Sequence, residues 1–336
     1  MSEAMAATAS SGDCADVRNS GTSRFARVLL LSNPNARQVR KRAPLLDALQ
    51  RAGKVETLWT GAPEALRGIL ARAQPCADDL LVLNGGDGTV QTTLTELAGM
   101  LPMSRWPRLA VLPGGTTNMT AFDISGRVSY GRAVTKLDEA IDAPVRAFVR
   151  RRHLLRVLTP GEPTRYGFAF GAGAVVNGVQ YCREEILRRG GSDEWASGLT
   201  LLRGSVGIAR RDPRFTGNTR ARIEFTDATV SGQWLILLAS TLDRMIMGIR
   251  PYWGDRSGPM HFTWIRSDAR NFLGRLPQIV TGGRGLRAED GYASRDLSCL
   301  ALELEGQYTI DGEIFPTPSG PLSLAAVGPI DFIVLR

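Results

Sequence analysis

Short apolar runs alternate with helical stretches over residues 24–143, and this alternation constrains the fold more than any other feature of the sequence. RVLLLS, VETLW, DLLVLN and RLAVLP are runs of strand length, and apolar residues recur at helical spacing between them. Buried strands joined by helical crossovers form a parallel sheet. The pattern therefore predicts an α/β domain in which the loops at the carboxyl ends of the strands meet at one edge.

The sequence changes character after about residue 143. Residues 144–336 contain short β-like runs, such as RYGFAFGAG and QWLILLAS, broken by Gly, Pro, Asp and Ser. This pattern is typical of a mainly antiparallel β-sandwich, here with inserted helices such as one over residues 195–210. Residues 1–23 have small polar side chains and no apolar periodicity, so we expect a disordered tail.

Three loops fall at the predicted carboxyl edge of the first sheet: SNPNA, NGGDGT and PGGTTN. Gly85, Gly86 and Gly88 let backbone N–H groups face an anion without a Cβ in the way. The helix that begins near Thr89 adds the positive end of its dipole. Asp87 would repel a phosphate unless magnesium lies between them, so the combination suggests a metal–nucleotide site.

The charge and the cysteines narrow the class of protein. Lys and Arg number 41 against 33 Asp and Glu, a net charge of +8, and only three of the basic residues are lysines. Guanidinium groups suit a nucleotide or an acidic lipid surface, and no nucleic-acid-binding fold accompanies the charge. The four cysteines form no CxxC pair, which argues against a zinc site and favours the cytoplasm, and no apolar run is long enough to span a membrane.

Two common nucleotide motifs are absent from the sequence. Gly53 and Lys54 are followed by Val55 rather than Ser or Thr, so there is no P-loop. In FGAGAVVNG, Val176 occupies the third glycine position of a dinucleotide-binding fingerprint. The glycine loops therefore need another explanation.

The sequence resembles the diacylglycerol kinase catalytic superfamily in a combination of motifs: NP in the first loop, GGDGT followed by an apolar helix, a strand that leads into PxGTxN, and a late DGE. This superfamily includes bacterial lipid kinases and sphingosine kinases and is related to NAD kinase. The resemblance covers nearly everything from Arg24 onward. It implies ATP-dependent, magnesium-assisted phosphorylation of a lipid hydroxyl at the cytoplasmic face of a membrane, with the nucleotide between two domains. The residues it assigns to the nucleotide are Asn33, Thr60, Gly85, Gly86, Asp87, Gly88, Thr89, Val90, Gly115, Thr116 and Asn118, with Asp87 also near the metal.

YTIDGEIF, residues 308–315, reads as a strand interrupted by Gly312. In an extended segment Asp311 and Glu313 project to the same face, which would bring both carboxylates into one cleft. The alternative is a DG turn in a surface hairpin. The resemblance places the general base in this DGE motif, and we assign that role to Glu313 with Asp311 as a second catalytic carboxylate.

Two positions depart from the family pattern. Met119 follows Asn118 where the family commonly has Asp, and the nearest acid is Asp123. A second-domain Asp-Gly metal site is replaced by Ser257-Gly258, so we expect that structural ion to be absent. These departures leave the acceptor open.

Two alternative functions, the role of one apolar stretch and the state of assembly remain open from the sequence. An NAD kinase would carry an NxGxLGF-type segment, which is not found. A nucleotide-responsive lipid-binding or transfer protein that has lost turnover is suggested by Met119. MIMGIRPYW, residues 245–253, could form an acyl-chain pocket or part of the core. A homodimer also remains open.

Overall fold

The computed structural model describes residues 17–19, 24–189 and 218–336. The helix predicted over residues 195–210 lies outside the described residues. So does the predicted N-terminal tail, except for Val17–Asn19, which form strand β1. This strand pairs antiparallel with β6 (Phe148–Leu158), so the tail prediction is wrong for these three residues.

The N-terminal region contains the predicted parallel sheet. Its strands are β2 (Val28–Ser32), β3 (Glu56–Trp59), β4 (Leu80–Gly85) and β5 (Arg108–Pro113), in the order β3-β2-β4-β5. All three pairings are parallel, and β2 and β4 are buried along their whole length. Burial on both faces explains why these strands read as continuous apolar runs.

Helices cover both faces of this sheet. Leu29 and Leu31 pack on one face in a cluster that we call core A, whereas Leu30 packs on the other face. This alternation follows the two-residue period of a strand. The helices are α1 (Arg37–Lys41), α2 (Ala43–Arg51), α3 (Pro63–Ala73), α4 (Asp87–Met100), α5 (Met119–Ser125) and α6 (Tyr130–Asp142).

The sequence predicts one helix over residues 36–52, but the structure has two. The chain leaves helical geometry at Arg42, where φ is −126°. Pro44 follows and has no N–H to donate to the carbonyl of residue 40, so the first helix cannot continue through it. This break places the short helix α1 beside the SNPNA loop.

The second region is mainly antiparallel, which confirms the predicted fold class. Its only described parallel ladder joins β16 to β5. The remaining elements are β7 (Arg165–Gly167), β8 (Ala169–Gly173), α7 (Ala174–Arg189), β9 (Thr219–Glu224), β10 (Thr229–Ser240), β11 (Met260–Arg266), α8 (Phe272–Val280), β12 (Tyr292–Leu297), β13 (Cys299–Leu304), β14 (Gln307–Ile310), β15 (Glu313–Pro316) and β16 (Leu322–Ile333).

Strand β16 joins the two regions into one sheet. It pairs antiparallel with β6 and β13, and Phe332 pairs in parallel with Leu109 of β5. The end of the chain therefore returns to the N-terminal sheet. Within the described residues no helix has the length and apolar character needed to cross a bilayer.

Candidate functional site

The three loops predicted from the sequence meet at the carboxyl edge of the parallel sheet. The Asn33 N–H donates to the Asn84 carbonyl at 3.0 Å, and the Gln38 N–H donates to the Gly114 carbonyl at 2.9 Å. The Gly114 N–H also donates to the Gly85 carbonyl at 3.1 Å. Backbone hydrogen bonds therefore hold SNPNA, NGGDGT and PGGTTN together, as the sequence predicts.

Glycines are required here because two of these loops touch backbone to backbone. A Cβ on Gly115 would lie 2.4 Å from the Cα of Gly86, and a Cβ on Gly85 would lie 2.5 Å from the Thr89 hydroxyl oxygen. Real Cβ atoms do not approach other atoms so closely. The glycines therefore bring the two loops together, in addition to leaving N–H groups open to an anion.

Gly115→Ala should destabilise the protein by about 1 to 3 kcal/mol and weaken nucleotide binding, because the new methyl group meets backbone that cannot rotate away. Gly99→Ala is the matched control. Gly99 is an exposed helical glycine with nothing within 4 Å of an added Cβ, and alanine there should leave stability unchanged or raise it. Urea denaturation and nucleotide titration measure both effects. Equal stability of the two variants would contradict the proposed loop contact.

Two predicted nucleotide residues shape the loops. The Asn33 side-chain amide donates to the Thr89 hydroxyl at 2.9 Å. Asn118 has a left-handed backbone (φ +49°), and its side chain accepts from the Gly115 N–H at 2.8 Å and donates to the Gly115 carbonyl at 3.0 Å. These side chains lie at the site, with part of their hydrogen-bonding capacity used to hold it in shape.

Of the other residues predicted to bind the nucleotide, some lie at the loops and one lies in the core. Thr60 is buried at the end of β3, and its N–H donates to the Ser32 carbonyl at 3.0 Å. Thr116 is half-buried within the PGGTTN loop. The Val90 side chain is buried in core A, and its predicted contact with the nucleotide stays a prediction.

Sequence reasoning missed Asn84, which is fully buried at the end of β4. Its amide donates to the Ser32 hydroxyl at 2.6 Å, and its side-chain oxygen accepts from the Tyr130 hydroxyl at 3.0 Å. Burial raises the pKa of Tyr130 to about 12, so this hydroxyl stays a donor. The available signal was a polar residue at the end of an otherwise apolar strand.

Asp87 caps helix α5. Its carboxylate accepts from the Thr117 hydroxyl at 2.7 Å, from the Met119 N–H at 3.0 Å and from the Thr120 N–H at 3.0 Å. Asp87 is also the first residue of α4 and is buried. One carboxylate thus joins the two glycine loops through the N-terminus of the helix that follows PGGTTN.

This capping role occupies most of the Asp87 carboxylate, and its predicted position near a magnesium ion carried by the nucleotide stays a prediction. Three of about four lone-pair positions on the carboxylate are already occupied by donors. Among the described residues there is also no group of three His, Cys, Asp or Glu side chains that could hold a metal ion. The residues present therefore do not fit a metal held by the protein itself.

Asp311 lies in a tight turn, which corrects the extended segment predicted for DGE. Ile310 pairs with Glu313 across the β14–β15 hairpin, and the two residues between them have positive φ values, +48° for Asp311 and +89° for Gly312. Two positive φ values are characteristic of a type I′ turn. The DG-turn alternative is therefore correct.

The Asp311 carboxylate contacts the backbone at the start of β8 and does not share a face with Glu313 as predicted. It accepts from the Phe168 N–H at 3.0 Å and from the Ala169 N–H at 2.8 Å. The Asp311 N–H donates in turn to the Ala169 carbonyl at 2.9 Å. Asp311 thus anchors the tip of the hairpin, and its predicted role as a second catalytic carboxylate stays a prediction.

Burial raises the pKa of Asp311 to about 7, and the nearby charge of Asp87 acts in the same direction. The N–H groups of Phe168 and Ala169 lower it and only partly offset the burial. The native state therefore binds this proton more tightly than the unfolded chain does. The resulting stabilisation is complete below the ordinary carboxyl pKa and is lost as the pH rises through about 7.

Asp311→Asn removes this titration, so the free energy of unfolding of wild type relative to the variant should fall by about 1 to 3 kcal/mol between about pH 5 and pH 8. Urea denaturation at several pH values measures the difference. Asp227→Asn is the control. Arg295 lowers the pKa of the exposed Asp227, so this carboxyl does not titrate in this range. A pH-independent difference for Asp311→Asn would contradict the raised pKa.

Glu313 is exposed and begins β15, directly after the anchored turn. Its Oε1 lies 3.5 Å from the position that a Cβ on Gly88 would occupy. Gly88 is in the first turn of α4, where N–H groups and the helix dipole favour an anion. The second region therefore presents a carboxylate to the N-terminal end of α4.

Met119 is buried at the start of α5, and Asp123 lies one turn later on the same helix. The Asp123 carboxylate accepts from Arg152 Nε at 2.6 Å and from the Arg244 N–H at 3.0 Å. Arg152 also contacts Asp243 at 2.6 Å. Burial raises the pKa of Asp123, and Arg152 opposes this shift. Asp123 is therefore paired within the protein and does not replace the missing Asp of the loop.

The segment around Ser257 is organised by Asp296. This buried carboxylate accepts from the Arg256 N–H at 2.7 Å and lies 2.5 Å from His261 Nδ1. The Ser257 hydroxyl donates to the Asp296 carbonyl at 2.6 Å. Side-chain and backbone contacts thus hold the segment where the family pattern places an Asp-Gly ion site.

The apolar stretch at residues 245–253 is mainly part of the core. Met245 and Ile246 pack against core A, and Tyr252 is buried. A Cβ on Gly248 would lie 3.3 Å from the Phe122 ring of α5. The stretch therefore connects the second region to the helix that follows PGGTTN.

Comparison with known proteins gives a family-model match for part of the chain and a fold for nearly all of it. Residues 27–153 match the family model of the diacylglycerol kinase catalytic domain. The chain is similar in structure to a diacylglycerol kinase from Bacillus anthracis, with a TM-score of 0.62 and 15% identity over 93% of this chain and 98% of that one. A candidate diacylglycerol kinase from the same organism gives a TM-score of 0.65 and 17% identity over the same shares. No curated protein matches the sequence.

Proposed function

We propose that the protein transfers the γ-phosphoryl group of MgATP to a hydroxyl of a lipid, from the premise that residues 27–153 match the diacylglycerol kinase catalytic-domain family. The observation that carries the proposal is the position of Glu313 opposite Gly88, at the N-terminus of α4. A carboxylate beside an anion-binding helix end can accept a proton from a hydroxyl that attacks a phosphate there.

The nucleotide is proposed to lie along the carboxyl edge of the parallel sheet. Backbone N–H groups of the two glycine loops would face its phosphates, and Asn33 and Thr116 would bound it on either side. The family likeness supports this placement, as does the packing of the loops around Gly86 and Gly115. Magnesium would arrive with the nucleotide, where it neutralises phosphate charge.

In the proposed reaction, the oxygen of the acceptor hydroxyl bonds to the γ-phosphorus, and Glu313 accepts the proton of that hydroxyl. The bond from that phosphorus to the β–γ bridging oxygen breaks, and ADP leaves. Asp311 fixes the hairpin tip through Phe168 and Ala169, so it positions Glu313 without touching the reacting atoms. The protein is proposed to act from the cytoplasm on a lipid such as diacylglycerol, monoacylglycerol or a sphingoid base in the adjacent membrane.

Incubation of the purified protein with labelled ATP, magnesium and separate panels of lipids, sugars and NAD tests the proposal. A labelled lipid is the expected result. Labelled NADP would instead identify an NAD kinase. Binding of nucleotide and lipid without product would favour the transfer protein suggested by Met119, since a buried thioether cannot orient a hydroxyl as a carboxylate does.

A further inference from the structure

Helix α8 carries an apolar face that the described core does not cover. Leu273, Leu276 and Val280 lie on the same side of the helix, spaced three and four residues apart. Leu273 is 45% exposed, and Leu276 and Val280 are each partly exposed. None of the three belongs to an apolar core cluster of the described residues. We call these three residues the α8 face.

The rest of α8 is anchored, so the α8 face is presented by a fixed helix. Ile279 is buried with Ile265 and Tyr292, and Phe272 packs against the same cluster. The Tyr292 hydroxyl donates to the Arg270 carbonyl at 2.7 Å, immediately before the helix. The helix is thus held by one side, while none of the α8 face residues is part of that cluster.

Arginines surround this face. Residues 266–290 contain five arginines and three acids, a net charge of +2. Arg266, Arg270 and Arg287 have acidic partners, Asp268 at 2.5 Å, Asp290 at 3.6 Å and Glu289 at 3.1 Å. Arg284 is exposed and has no acidic partner among the described residues, and Arg275 contacts only the neutral Gln278 at 3.0 Å. An apolar helix face with uncompensated arginines is complementary to a surface of anionic lipid.

A chain of contacts leads from α8 to the candidate site. The Val280 carbonyl accepts from the Arg250 N–H at 2.9 Å, at the end of the 245–253 stretch. Met245 and Ile246 of that stretch pack on core A, and Gly248 lies against Phe122 of α5. These contacts therefore connect α8 to the helix that follows PGGTTN.

We propose that the α8 face is the surface by which the protein docks on an anionic phospholipid bilayer, with Leu273, Leu276 and Val280 entering the headgroup–acyl boundary and Arg275 and Arg284 meeting lipid phosphates. The proposed function contributes only the choice of a lipid as partner. Docking needs neither nucleotide nor phosphoryl transfer, so it can be measured independently of catalysis.

Sedimentation with vesicles of mixed phosphatidylcholine and phosphatidylglycerol, in the absence of nucleotide, tests the proposal. Leu273→Gln should lower the partition coefficient about five- to tenfold, because a leucine that enters the bilayer contributes apolar burial that glutamine cannot. Arg284→Gln should lower it about fivefold on these vesicles and leave binding to pure phosphatidylcholine unchanged. Leu158→Gln is the matched control, since Leu158 is also 45% exposed but lies on β6, and it should bind like wild type.

Circular dichroism of each variant establishes that it is folded, and sedimentation velocity establishes its oligomeric state. The proposal is overturned if wild type does not bind the anionic vesicles, or if Leu273→Gln binds them as well as Leu158→Gln does. It is also overturned if Leu273→Gln converts a dimer to a monomer without a change in vesicle binding, because the α8 face would then be covered by a second copy. A lipid kinase assay that fails while vesicle binding follows the expected order would overturn the proposed function alone.

Discussion

Replacing Glu313 by Gln is expected to lower the turnover of phosphoryl transfer by roughly 10²- to 10⁴-fold, with nucleotide affinity changed by less than about threefold. Glutamine keeps the size of the side chain opposite Gly88 but cannot accept the proton of an attacking hydroxyl. The loops that would bind the nucleotide lie on other elements and should be undisturbed. Steady-state kinetics with labelled ATP and calorimetric titration of nucleotide measure the two quantities.

Glu139→Gln is a suitable control for this experiment. Glu139 lies on α6 in an exposed pair with Lys136, and its loss should leave turnover unchanged. Turnover equal to wild type in Glu313→Gln would rule out this residue as the base. A parallel loss of turnover and nucleotide affinity would instead assign Glu313 to binding.

The predictions made from local pattern were confirmed in the N-terminal region. Four apolar runs gave four parallel strands, because buried strands between helices have a distinctive composition and length. The meeting of Asn33, Gly85 and Gly115 followed from a general rule on parallel sheets, without any knowledge of side-chain contacts. The resemblance at GGDGT, PGGTTN and DGE extended this reading to the kinase family.

The roles of individual carboxylates could not be predicted in the same way. Asp87 binds the Met119 N–H, 32 residues away, and Asp311 binds the Phe168 N–H, 143 residues away. Neither partner is visible to a periodicity that spans one helix or strand. The DG dipeptide did contain the correct local signal for a type I′ turn, but the resemblance drew attention to catalysis and away from the turn.

The position of the last strand was also inaccessible to local reasoning. The sequence pattern of β16 is compatible with any antiparallel sheet, but its pairing with β5 places it beside the parallel strands. This pairing depends on which residues cover Phe332 and Ile333. Both are fully buried, in different clusters on the two faces of the N-terminal sheet. A division at residue 143 therefore describes the order of elements along the chain better than the pairing of strands.

Arg152→Met should destabilise the protein by about 3 to 5 kcal/mol, because it leaves the buried carboxylate of Asp123 without its counter-charge. The side chains of Arg152 and Asp123 are only 4% and 1% exposed, and their atoms lie 2.6 Å apart. The matched control is Arg222→Met, which breaks a 2.9 Å pair with Glu224 that is 52% and 41% exposed and should cost less than about 1 kcal/mol. Urea denaturation measures both.

The double variant Asp123→Asn with Arg152→Met separates a lost contact from an unpaired charge. If the unpaired charge causes the loss, removing the carboxylate as well should restore at least about half of the lost stability. The loss in Arg152→Met alone should also shrink as the pH falls, because burial raises the pKa of Asp123 and a protonated carboxyl needs no counter-charge. A double variant that is less stable than Arg152→Met at neutral pH would show that the Arg244 N–H and packing, not Arg152, account for the stability of α5 at this junction.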